Sequence, residues 1–274
     1  MIAAEKAMGY LKKLNAVIFL SLTMLAVACK EDNNEPVPED WSQYKCLVTG
    51  TGGAPFIYNA SGKLVRINYP APYWQPADTS HEEMTYNANG NIADKKFFNS
   101  KGEVTVQYIY TYNAANLPDT LFHISNTFKP SFQKFEYNAE GKLVRINVFE
   151  VGNPELLGYT EITYPAEDKS LEKGYYRSGT GGWTLGIITE NHYDNKNHPY
   201  SQLGFYSLSA YNVEILISKH NIITSYRSGV KKEWSYNYNA QGYPLSKSLI
   251  QPRAYFSPYG SPDGEFYAWE YNCQ

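Results

Sequence analysis

The chain has 274 residues, 43% hydrophobic and 19% charged, with a formal net charge of −3 and a pI near 6.0. This composition excludes disorder over most of the chain, and the weakly acidic balance argues against nucleic acid as a partner, whose usual footprint is a basic field. Aromatic residues reach 16%, with 26 Tyr, 12 Phe and 5 Trp, a bias toward pleated, half-buried surfaces where a tyrosine ring packs and its hydroxyl stays hydrogen-bonded.

In chain order, Lys12 and Lys13 precede an apolar run from Leu14 to Ala28. The run suits a signal peptide over residues 1–28 and is short for a membrane helix, which needs about 20 apolar residues. Either Met1 or Met8 serves as its start. The run ends Leu25-Ala26-Val27-Ala28-Cys29, which resembles the lipobox of bacterial lipoproteins. That resemblance implies lipidation of Cys29 and anchoring to a membrane through acyl chains; a plain secretory signal with a chance cysteine is the alternative. Lys30, Glu31 and Asp32 follow at once and resemble the surface-export signal of Bacteroidota lipoproteins, implying a lipid-anchored outer-membrane protein that faces the cell exterior. Residues 29–41, with NNEPVPED at Asn33–Asp40, read as a flexible tether. A repetitive β-hairpin domain is expected over 42–274, a size that fits one large β domain as well as two ordinary ones.

Cys46 and Cys273 stand at the two ends of that domain. In an oxidising compartment they could form a disulfide; two unpaired thiols are the alternative.

The block YNASGKLVRIN from Tyr58 returns as YNAEGKLVRIN from Tyr137, with ten of eleven positions identical. Related blocks start at Tyr86, Tyr112, Tyr164, Tyr193 and Tyr238, with successive gaps of 28, 26, 25, 27, 29 and 45 residues. The fifth position of each is Gly62, Gly90, Asn116, Gly141, Asp168, Asn197 or Gly242. Gly, Asn and Asp tolerate positive φ, so each block is expected to close a short hairpin there. The flanks alternate: Val106, Tyr108, Tyr110 and Tyr112 share one strand face, and Thr105, Gln107, Ile109 and Thr111 the other. The same aromatic parity joins Met84 to Tyr86, Phe135 to Tyr137, and Trp234 to Tyr236 and Tyr238.

A period of about 26 holds two strands and two turns. The Tyr-Asn turns then line one rim. The opposite rim takes Asn99–Glu103, Val151–Glu155, Arg177–Trp183 and Tyr226–Val230, and the longest gap has room for an extra hairpin around Leu208–Asn212. The expected fold class is all-β: a large antiparallel meander of about 14–18 strands. Closure removes its open edges. A round barrel of this size has a lumen too wide for side chains to fill, so a flattened or filled barrel is expected, with a two-sheet sandwich as the alternative. A spanning porin with its aromatic face in lipid fits less well, because that face is rich in Tyr and poor in Leu and Val.

The Cys-Lys-Glu-Asp start, the length and the Tyr-Asn-Ala-x-Gly-Lys-Leu units resemble a family of Bacteroidota surface lipoproteins described as having a porin-like fold. The unit is also distantly similar to the YD repeats of Rhs-type shells. The resemblance covers the mature chain and implies a curled antiparallel sheet; the family has no established activity and supplies no catalytic residue.

No common catalytic or phosphate-binding motif is present. His192, Asp194 and His198 match no usual ligand spacing, so no metal, cofactor or catalytic residue is assigned, and His81, His123 and His220 read as satisfied or solvated. Glu82 and Glu83 read as a solvated strand start, since a carboxylate pair is defined only in space. The segment Tyr69–His81 carries three prolines with Tyr73 and Trp74. These aromatics, Trp183 and the aromatics of Tyr255–Tyr259 are candidates for stacking on a ligand, or for packing over the end of a barrel. A non-enzymatic module for a glycan or peptide is therefore expected; an accessory subunit beside an outer-membrane protein partner and a hydrolase with an unrecognised site are the alternatives.

Overall fold

The computed structural model describes residues 46–69, 79–179, 181–203, 208, 213–251 and 266–273. Within these, sixteen strands form one closed antiparallel barrel in which every strand pairs with its neighbours in sequence and β1 pairs with β16. The strands are β1 (Cys46–Thr51), β2 (Ala54–Tyr58), β3 (Leu64–Asn68), β4 (Thr79–Tyr86), β5 (Ile92–Asn99), β6 (Val104–Tyr112), β7 (Pro118–Ser125) and β8 (Ser131–Tyr137), then β9 (Leu143–Glu150), β10 (Leu156–Ala166), β11 (Lys169–Arg177), β12 (Trp183–Tyr193), β13 (Ile222–Arg227), β14 (Val230–Tyr238), β15 (Pro244–Gln251) and β16 (Phe266–Cys273). Closure excludes the two-sheet sandwich: a meander this long leaves two unpaired edges unless its first and last strands meet.

The Tyr-Asn blocks explain the rim they build. In the turn after β2, Asn59 N–H donates to Lys63 O and Gly62 N–H to Asn59 O, both at 2.9 Å. The Asn59 side chain closes the same loop by accepting from the Ser61 and Lys63 amides. Asn87, Asn113 and Asn239 repeat this arrangement, and Asn138 accepts from the Lys142 amide. The second position is therefore Asn because its amide oxygen satisfies loop N–H groups that no strand reaches. The fifth position has positive φ at Gly62, Gly90, Asn116, Gly141 and Gly242.

The other two blocks differ from the sequence expectation. Asp168 and Asn197 are not left-handed. Asp168 sits in a two-residue connection flanked by the pair Ala166 and Lys169. Asn197 belongs to no hairpin: its N–H donates to Gly242 O of a neighbouring turn.

Gly141 has φ of 76°, and an added Cβ would meet nothing nearer than Leu117 Cδ1 at 3.9 Å. Gly141→Ala is therefore expected to cost about 1–2 kcal/mol from backbone conformation alone. Gly141→Asn should cost less, because Asn116 occupies the equivalent position natively. Urea unfolding of both variants checks this; equal losses would contradict it.

Four of the seven lead tyrosines have a second role, which Tyr271 shares. Tyr86, Tyr112, Tyr137, Tyr164 and Tyr271 lie near the end of one strand and donate their hydroxyls to the carbonyl of the first residue of the preceding strand. The acceptors are Leu64, Ile92, Pro118, Leu143 and Pro244, at 2.5 to 2.9 Å. The first four bonds tie successive hairpins together around the inside of the rim, and the fifth ties the last Tyr-Asn turn to β16. Burial pushes the Tyr164 hydroxyl up to about 12 and raises those of Tyr112 and Tyr137, so all three remain protonated donors.

The inward parity builds the core. Tyr108, Tyr110, Leu121, Phe135, Leu143 and Ile146 form one buried cluster; Val48, Phe56, Leu64, Ile67, Met84 and Trp269 form another. The connection from β12 to β13 enters this interior. The extra hairpin expected around Leu208–Asn212 lies, apart from Leu208, outside the described residues; the described part of the connection holds a 3-10 turn (Ser201–Leu203) and one helical turn, α1 (Glu214–Ile217), and β12 pairs directly with β13. Leu208 is fully buried, and Leu216 and Ile217 pack with it against the first cluster. The described residues of this segment act as a plug at the end of the barrel nearest the Tyr-Asn rim.

A buried polar hook fastens the plug. The Leu208 carbonyl accepts from Tyr110 Oη at 2.7 Å and from Lys95 Nζ at 3.5 Å. Burial lowers the Lys95 pKa, and nearby Glu82 opposes that shift. Glu82 is thus not part of a solvated strand start: it is 1% exposed and faces inward, while Glu83 faces out and pairs with Arg66.

The outer wall is charged along the middle of its strands. Arg66–Glu83, Lys96–Asp94 and Arg145–Glu161 pair across it at 3.2 to 3.4 Å. A lipid-facing band would be apolar there.

Cys46 and Cys273 are directly opposed in the β1–β16 ladder and joined by a disulfide. The side-chain amide of Asn239, in the last Tyr-Asn turn, donates to both sulfurs. The chain therefore enters and leaves the barrel at the plugged rim.

Candidate functional site

Beyond the plug, the described residues enclose a space in the lumen. A cavity of about 810 Å³ runs from Val213, Glu214 and Ile217 on the plug to Ser228 and Val230 in the opposite rim. Its wall comes from inward positions of β8 to β15. Gly174 and Ile187, directly opposed in the β11–β12 ladder, keep the wall low there.

Polar side chains gather on one arc of this wall. Glu172 on β11 accepts from Asn191 Nδ2 on β12 at 2.8 Å. Glu214 projects from α1 into the same space: its surface is open to the lumen, yet the wall surrounds it. Burial raises the Glu172 carboxyl to about 7, and the Glu214 charge adds to the rise; the Asn191 hydrogen bond and Arg227 oppose it. Burial likewise raises Glu214, against Lys247. Arg227, Lys232 and Lys247 enter from β13, β14 and β15. The Lys247 ammonium lies 4.5 Å from the Trp234 ring centre.

The raised Glu172 has a measurable consequence. A carboxyl whose folded pKa lies above its unfolded value binds more protons when folded, so stability falls as pH rises from about 4.5 to about 7. Glu172→Gln removes that dependence. The difference in melting temperature, variant minus parent, is expected to increase across this window and level off above it. Scanning calorimetry at several pH values reads it, and a flat difference would show that the raised carboxyl is not Glu172.

The remaining predicted positions lie elsewhere. Trp183 starts β12 on the outer wall, 45% exposed, with its ring edge-on to Tyr159 at 4.9 Å; Tyr159 stacks on Tyr175 at 4.7 Å. It does not reach the cavity. Tyr73, Trp74 and Tyr255–Tyr259 lie outside the described residues, as do Cys29, Lys30, Glu31 and Asp32. His192 bonds Glu190 at 2.7 Å, whereas Asp194 accepts from Asn221 and Tyr238. Burial, followed by the Lys247 charge, lowers His198 to about 4. Among the described residues no group of three or more His, Cys, Asp or Glu side chains is placed to hold a metal ion.

Sequence reading missed Glu172, Asn191, Arg227, Lys232 and Glu214. A signal for one existed: Lys232 shares the inward parity of Trp234, Tyr236 and Tyr238. For Glu214 there was none, because the plug has no strand period.

Fold and site together define an all-β, plug-filled antiparallel barrel with a polar lumen cavity. No family model and no curated protein matches the sequence. Among solved structures, the chain is similar to a porin-like protein from Bacteroides uniformis, at 13% identity over 81% of this chain and 89% of that one, with a TM-score of 0.49. It is also similar to a porin-like protein from Bacteroides vulgatus, at 10% identity over 82% and 98%, with a TM-score of 0.35. A third likeness, to a crystal structure of TcdB2-TccC3-TEV, has 10% identity over 79% of this chain and 12% of that one, with a TM-score of 0.31.

Proposed function

We propose that this protein is a lipid-anchored envelope protein whose barrel is a non-enzymatic binding module, taking a glycan or peptide into the lumen. The observation that carries the reading is the cavity itself. Its volume of about 810 Å³ falls within the 300–1,000 Å³ typical of ligand sites, and its wall mixes apolar surface with a few convergent polar groups. The plug supplies a floor, so the space is a cup rather than a channel. The charged outer wall favours an anchor over a membrane span.

With Cys29 lipidated, the tether would join the barrel at the plugged rim, where Cys46 begins β1, and would leave the opposite mouth free for ligand. Radiolabelled palmitate should enter the parent and not Cys29→Ala. Glycan and peptide libraries presented to the solubilised full chain should yield a bound class that Thr160→Trp, which fills the lumen, abolishes. A bound class indifferent to Thr160→Trp would move the site out of the lumen.

A second reading is favoured by one observation, the two carboxylates Glu172 and Glu214 on a single cavity. As a hydrolase the protein would turn over a bound library member, and both Glu172→Gln and Glu214→Gln would stop that turnover.

A further inference from the structure

We propose, resting on the binding reading above, that the lumen recognises a zwitterion, the free ammonium and free carboxylate of a short peptide. The acids and bases are segregated. Glu172 lies on β11 and Glu214 on the plug beside it, whereas Arg227, Lys232 and Lys247 lie on β13 to β15. From β11 to β13, β14 and β15 is two, three and four strand spacings, about 10–19 Å along the wall. An extended tripeptide, at 3.3–3.6 Å per residue, is about 10 Å long and falls within that range. Asn191 fixes one Glu172 oxygen and orients the carboxylate.

A neutral sugar fits less well. Sugars dock on open aromatic faces, and the cavity's indole, Trp234, has the Lys247 ammonium over its ring at 4.5 Å. What the arc offers is paired charge: carboxylates for an ammonium, and a guanidinium with two ammoniums for a carboxylate.

The test dialyses the detergent-solubilised full chain against four pools and weighs the retained molecules by mass spectrometry. The pools are randomised tripeptides with free termini, the same set N-acetylated, the same set C-amidated, and neutral oligosaccharides. The free tripeptides should be retained, and blocking either end should cut retention about tenfold, the loss of one charged hydrogen bond. Glu172→Gln should make retention insensitive to acetylation, and Arg227→Gln insensitive to amidation. Equal retention of free and blocked peptides overturns the proposal. Retention of oligosaccharides alone, lost in Thr160→Trp, overturns the peptide class and leaves the binding reading standing. No retention from any pool removes both.

Discussion

The double variant Cys46→Ser/Cys273→Ser should lose about 3–5 kcal/mol of unfolding free energy relative to the oxidised parent. The disulfide links residues 227 positions apart, and a loop of that length gives a cross-link its largest effect on the entropy of the unfolded chain. The location adds to this. Among the described residues, the β1–β16 ladder is the pairing that closes the barrel, and it runs only from Cys46–Cys273 to Thr51–Trp269 with a bulge at Val48/Gly50. Opening it exposes two strand edges, which are templates for association. The variant should therefore also aggregate more readily on heating. Guanidinium unfolding of the parent with and without reductant, beside the variant, measures the loss; a change below about 1 kcal/mol would mean the ladder holds the seam unaided.

Leu208→Ala should cost about 2–5 kcal/mol, the range for a fully buried leucine. Leu208 is 0% exposed and sits where the plug meets Tyr110, Leu121 and their neighbours. Its carbonyl also receives the Tyr110 hydroxyl and the Lys95 ammonium. Tyr110→Phe removes one of these donors and should cost about 1–3 kcal/mol, because a buried carbonyl is left short of a partner. A loosened plug has its own signature: the amides of Leu216 and Ser218, which bond Val213 and Glu214, should exchange hydrogen faster while Tyr-Asn rim amides such as Gly141 stay protected. Uniform acceleration would show that plug and wall unfold as one unit.

These two predictions divide along how far interactions reach in sequence. The rim turns were legible because their causes are local: Asn59 bonds residues two and four positions ahead, and Gly62 answers a backbone need at its own position. The tyrosine parity was legible for the same reason, since alternation follows from the pleat. Asp168 and Asn197 misled because tolerance of positive φ is not the same as adopting it; a two-residue connection and a contact with the neighbouring turn decided those cases. Glu82 read as solvated because its neighbour Glu83 is, and only the ladder turned the two to opposite faces.

From its residues alone, this chain determined a hairpin period, an aromatic face, a rim of Asn-closed turns and the all-β class, since each depends on contacts spanning a few residues or on strand alternation. Tertiary structure decided that the sixteen strands close, that β12–β13 turns inward as a plug, and that Glu172, Glu214, Arg227 and Lys232 meet around one cavity. The physical reason is curvature. Which inward side chains face each other depends on how far successive strands are staggered and on what occupies a lumen too wide to fill itself, and neither quantity is written in any short stretch of the chain.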